Sequence, residues 1–207
     1  QTYVYTGAAA GQRALKNLAL RQLATANKET VTLVQKQYDT TDNMTDRIAA
    51  LSIAVNHFPV AATAMLADFY QRYANEALVI DKWFAVQAAN CHASHATLMT
   101  VLDDLLNHPA FINPNPNRMR ALIFMFCNAN PHHFHHIDGR GYDFWAKHVL
   151  DIDHKNPQVS SRLARSLEHW RDYAEPHRSL MQAALQKVAE SQTLSQDVRE
   201  IISKALG

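Results

Sequence analysis

The 207 residues carry 20 basic and 19 acidic side chains, a formal net charge of +1, so no bulk field draws the chain to nucleic acid or an anionic membrane surface. Only five glycines occur, at 7, 11, 139, 141 and 207, which leaves little material for tight β-hairpins, and no apolar run reaches the ~18 residues of a membrane span. The length suffices to bury a sizeable core. Cys91 and Cys127 lie in apolar, helix-patterned segments rather than at secreted-type spacings. They read as buried free thiols of a reducing, cytoplasmic compartment. The start, Gln1-Thr2-Tyr3-Val4-Tyr5, lacks a signal-peptide layout and an initiator Met, so the chain reads as a piece of a longer protein.

Apolar spacing predicts a train of helices from Gly7 onward. Leu15, Leu18, Leu20 and Leu23 mark the first, and Val31, Val34 and Tyr38 a short second. Ile48, Leu51 and Val55 mark a third that stops near His57, because Pro59 disfavours a helical residue before it. Met65, Phe69 and Tyr73 follow in a fourth, and Leu78 to Ala89 form a fifth. Ser94 to Leu106 is the next, ended by His108-Pro109. Beyond it, Met119, Leu122, Ile123 and Phe126 share one face of a helix. Gly139-Arg140-Gly141 marks a turn before a helix with Tyr142, Trp145, Val149 and Ile152. Val159, Leu163, Leu167 and Trp170 belong to another, Pro176 opens the next through Leu180 and Leu185, and Ser195 caps a last one.

Asn-Pro occurs four times, at 113, 115, 130 and 156, and the last three pairs precede helical patterns. Asn can accept a free backbone N–H of a first turn and Pro fits the position after it, so each pair reads as a helix start. Roughly eleven helices with short connectors predict an all-α superhelix, a HEAT- or armadillo-like solenoid forming one domain over 1–207. An irregular helical bundle is the alternative.

Standard catalytic signatures are missing. No His is followed by Glu, no Gly-Lys of a Walker loop occurs, and Gly139-Arg140-Gly141 lacks the third glycine of a dinucleotide loop. His132-His133-Phe134-His135-His136 has spacings that bind zinc on a helix, but no Asp, Glu or Cys lies within it, so no metal is expected there. Asp103-Asp104 and the pair Asp151 and Asp153 read as solvated helix faces. Arg118, Arg120, Arg162 and Arg165 follow Asn-Pro starts, where cations oppose the helix dipole. Either they are ordinary surface arginines covering apolar neighbours, or one end of the stack offers guanidinium forks to carbonyl or anionic groups.

Short words run in order along nearly the whole chain: Asn43-Met44-Thr45-Asp46, Val79-Ile80-Asp81-Lys82-Trp83-Phe84-Ala85, Asn115-Pro116-Asn117-Arg118-Met119-Arg120, Asn130-Pro131 with Phe134-His135, Asp138-Gly139-Arg140-Gly141-Tyr142, and Asn156-Pro157-Gln158-Val159 with Ser161-Arg162-Leu163. In that order the chain resembles the C-terminal domain of the aminopeptidase N family, bacterial zinc metallopeptidases of the gluzincin type. The resemblance implies a noncatalytic helical domain that packs on the catalytic domain of the same polypeptide, caps its cavity and gates entry of peptide substrates.

Zinc and its H-E-x-x-H motif would lie in that other domain, so no cofactor, no catalytic residue and no metal ligand is expected in this chain. Nor is a nucleic-acid or membrane partner. Carried over by position, Arg120 and Arg162 become the candidate substrate-channel residues, with Arg118 and Arg165 behind them. Of the clustered histidines only His135 fits the family pattern. A free-standing helical-repeat scaffold that binds a protein or peptide is the competing function.

Overall fold

In a computed structural model the chain is described from Thr6 to Gly207, so the pentapeptide read as lacking a signal layout lies outside the described residues. Those residues contain α, 3-10 and π turns and no strand. Their contacts gather into two compact units, one up to Ala93 and the other from Ser94 to Gly207.

In the first unit α1 (Gly7–Ala26), α2 (Val31–Thr40), α3 (Met44–His57), α4 (Pro59–Tyr73) and α5 (Ala77–Ala88) follow one another with short connectors. Helix α3 is the central element, packing against α1, α2, α4 and α5. Its Ala50, Leu51, Ile53, Ala54 and Val55 are buried, because small and aliphatic side chains on adjacent faces let helices close in on more than one side. Asn43 starts α3 by accepting the Asp46 N–H at 2.9 Å. The Asp46 carboxylate in turn binds Lys16 and Asn17 of α1. Although burial acts the other way, these hydrogen bonds hold the Asp46 carboxyl below its usual range.

The second unit holds α6 (His95–Leu106), α7 (Pro116–Met119), α8 (Met125–Ala129), α9 (Pro131–Phe134), α10 (Arg140–Asp153), α11 (Pro157–Ala164), α12 (His177–Ala189) and α13 (Gln196–Leu206). Helix α10 packs on α11 and α12, and α13 closes against both of these. Trp145 is fully buried in α10, and its indole N–H donates to Leu163 O of α11 at 2.9 Å. Ser160 of α11 donates back to Val149 O at 2.6 Å, so both buried polar groups are satisfied across one helix pair.

Several expectations change. The helix predicted around Met119 to Phe126 is divided by a π turn, Arg120–Phe124, between α7 and α8. Trp170 leaves the α11 helix for a separate 3-10 turn, where its indole donates to Ala205 O at 2.9 Å. In α1 only Leu20 and Ala24 are buried, while Leu15, Leu18 and Leu23 are exposed. Asn115 and Asn156 cap their helices through the side chain, accepting the N–H of Arg118 and Val159, whereas Asn130 makes no such cap bond. Asp153, expected on a solvated face, is buried: its carboxylate accepts the Ser195 N–H at 2.8 Å and the Ser195 hydroxyl at 2.5 Å, fastening the end of α10 to the start of α13. Asp103, Asp104 and Asp151 do face solvent. Cys127 is buried but Cys91 is exposed, because α5 ends at Ala88 and leaves Cys91 in the following connector.

Candidate functional site

The four arginines occupy different environments. Arg118 is buried, its guanidinium donating to Ala110 O at 2.5 Å, so it ties the segment before α7 to that helix. Arg165 is exposed and pairs with Glu168 at 3.2 Å. Arg120, the first residue of the π turn, is half-buried and donates to Asn117 Oδ1 at 3.1 Å. Arg162 is exposed and has no side-chain hydrogen bond or ion pair among the described residues. It stands in the last turn of the short α11, not near its start, so its charge complements the helix dipole. The dipole conflict read from the sequence does not exist at that position.

A denser constellation surrounds α9. Gly139 adopts φ +77° as the N-cap of α10, a conformation open to glycine, and Gly141 follows in the first turn. A Cβ on Gly141 would stand 2.1 Å from Phe134 O, so glycine is what lets α9 lie against the head of α10. That approach brings His135 to Tyr142, Nδ1 to Oη at 3.0 Å, with Tyr173 Oη 3.3 Å from its Nε2. Burial, reinforced by the nearby His177, lowers the His135 pKa, while burial raises that of Tyr142 to about 12.

His136 and Asp138 sit on the loop between α9 and α10, and His95 reaches them from the head of α6. His95 Nε2 and His136 Nδ1 each lie 3.2 Å from Asp138 Oδ1. The rings of His95 and His136 stack at 3.9 Å with planes 8° apart, and His95 Nδ1 is 3.3 Å from His133 Nδ1. Arg140 braces the carboxylate with its backbone N–H on Oδ1 at 3.1 Å and its Nε on Oδ2 at 2.7 Å. Although partial burial opposes them, hydrogen bonds from the Arg140 side chain and backbone N–H hold the Asp138 carboxyl far below its usual range. Burial keeps His95 below the ordinary imidazole value, with the Asp138 charge acting against it. Sequence spacing could not bring His95 to the histidine run, since only packing of α6 against the second unit's loop joins them. His132 remains exposed.

Among the described residues no hydrogen bond or ion pair joins Arg120 or Arg162 to this histidine group. No described helix is long and apolar enough to cross a membrane.

The sequence profile of a family described as "Domain of unknown function (DUF3458_C) ARM repeats" matches residues 1–207. Aminopeptidase N of Haemophilus influenzae is 38% identical over 194 residues, covering 94% of this chain and 22% of that protein. Aminopeptidase N of Escherichia coli K12 is likewise 38% identical, over 196 residues, 94% of this chain and 22% of that protein. The Caulobacter vibrioides enzyme of the same name is 38% identical over 97% of the chain and 23% of its own length. Among solved structures, aminopeptidase A of Legionella pneumophila, crystallised with aspartic acid, superposes with a TM-score of 0.87 at 28% identity, over 95% of this chain and 23% of that one. The chain thus spans less than a quarter of the length of each of these relatives. It belongs to the DUF3458_C family of all-α armadillo-repeat domains and corresponds to the C-terminal domain of aminopeptidase N.

Proposed function

We propose that this chain is the noncatalytic helical domain of a zinc-dependent, cytoplasmic aminopeptidase that releases N-terminal residues from peptides, and that it caps the active-site cavity and gates peptide entry. The zinc and its ligands belong to the catalytic domain of the same polypeptide. Such a cap excludes folded proteins and lowers the dielectric around the metal chemistry.

The observation that carries a role in substrate contact is the free guanidinium of Arg162, which, unlike Arg118 and Arg165, has no partner among the described residues. Arg120 has a single neutral acceptor, Asn117. Guanidinium forks of this kind suit peptide carbonyls or a terminal carboxylate. A covering partner is also in keeping with the first unit, where Leu15, Leu18, Leu23 and Leu33 are exposed and a groove of about 660 Å³ runs beside Leu20, Leu23 and Leu33.

The test is made in the full-length enzyme. Arg120→Ala and Arg162→Ala are each expected to lower kcat/KM for a peptide of several residues about tenfold, the loss of roughly one charge-assisted hydrogen bond, while leaving a small chromogenic aminoacyl substrate within about twofold. Equal losses on both substrates would overturn the channel role. Hydrolysis of an aminoacyl substrate by the 207-residue chain alone, with zinc supplied, would overturn the noncatalytic reading.

A further inference from the structure

The loop between α9 and α10 and the head of α6 place three ligand-bearing atoms together. His95 Nε2, His136 Nδ1 and Asp138 Oδ1 all lie within 4.8 Å of one another, and both nitrogens stand 3.2 Å from the carboxylate oxygen. A tetrahedral cation with bonds of about 2.0–2.1 Å holds its ligands roughly 3.3 Å apart, so the nitrogen–oxygen spacings already suit one ion. The Nε2 atom of His95 is buried and makes no hydrogen bond, although it faces the carboxylate.

The surroundings are also those of a metal site. A ligating imidazole is fixed through its other nitrogen, and His95 Nδ1 has His133 Nδ1 at 3.3 Å. A ligating carboxylate is itself held by donors, and Arg140 supplies two, leaving a lone pair of Oδ1 toward the histidines. The Arg140 charge opposes a cation, but its side chain binds the far oxygen, Oδ2. One adjustment is needed. An ion lies in the plane of each ring that binds it, and these rings are stacked. His136 is partly exposed on the loop, and the bond it would give up, from Asp138 N–H to Nδ1, is long at 3.4 Å. Metal binding therefore requires a turn of the His136 ring about its Cβ–Cγ bond, to aim the Nδ1 lone pair at the ion.

We propose that His95, His136 and Asp138 form a site for one divalent ion of the zinc class, with water in the fourth position. Two imidazoles and one carboxylate favour such a borderline ion over calcium or magnesium, which prefer oxygen alone. The site fastens the head of α6 to the loop that precedes α10.

Equilibrium dialysis of zinc against the 207-residue chain under reducing conditions, in a Cys91→Ser background, tests this. The background removes an exposed thiol that lies in one connector with His92 and near His57. One zinc per chain is expected, together with visible d–d absorption from cobalt in its place and a raised thermal midpoint. His136→Ala, on the partly exposed loop, should weaken binding at least about tenfold with an unchanged circular dichroism spectrum, and Asp138→Asn should do the same. The double variant His57→Ala, His92→Ala should bind as before. No saturable binding, binding unaffected by His136→Ala, or binding lost in the His57, His92 double variant would overturn the proposal.

Discussion

At the residue scale, His148 is the sharpest case of an environment changing a side chain. It lies buried in α10 against Phe144, ring centroids 4.3 Å apart, and desolvation lowers its pKa to about 4, with Asp151 opposing and Lys147 assisting. The unfolded chain, near the ordinary value of about 6.5, binds more protons than the folded one between those two values. Stability is therefore full above pH 6.5 and falls as pH drops toward 4. From pH 7 to pH 5 this one group accounts for about 2 kcal/mol. Urea unfolding at the two pH values checks it: His148→Leu should flatten that part of the acid slope, and an unchanged slope would refute the assignment. Nothing in the sequence singled out His148, since its character comes from burial. The arginines divide the same way. Four looked alike after Asn-Pro, and only tertiary partners separated the buried Arg118 from the unengaged Arg162.

At the scale of elements, two of the words that carried the family resemblance form a joint of the second unit. Asn130-Pro131 with Phe134-His135 and Asp138 to Tyr142 follow closely in the chain and interlock, because Gly141 lets Phe134 O approach and thereby sets His135 on Tyr142. Gly141→Ala puts a methyl into that carbonyl, and overpacking should cost about 3 kcal/mol, read as a lower urea midpoint with an unchanged m value. A variant as stable as the parent would mean that α9 can move away freely. Helix starts were legible because capping is local chemistry, as at Asn115 and Asn156. The π turn at Arg120–Phe124 was not, since its apolar spacing reads equally well as α. The same holds for Asp153, whose burial depends on Ser195 far along the chain.

At the scale of the whole molecule, periodicity and near-absence of glycine made the all-α class readable, and ordered words made the family readable. The meeting of His95 with His136 and Asp138 was not, because it depends on how helices distant in sequence fold back. The two cysteines bear on how each unit behaves. Cys91 is exposed in the first unit, and its Sγ lies 3.4 Å from Asn56 Oδ1. Cys127 is buried in the second, where desolvation pushes its thiol pKa well up. A maleimide should therefore modify one site quickly in the native chain and the second at least about 100-fold more slowly, at a rate set by opening of residues 94–207. Equal rates at both thiols would show that Cys127 is reached without unfolding. Because each unit holds one cysteine, the chain carries an intrinsic stopwatch for the opening of its second half, readable by mass spectrometry with no cysteine introduced.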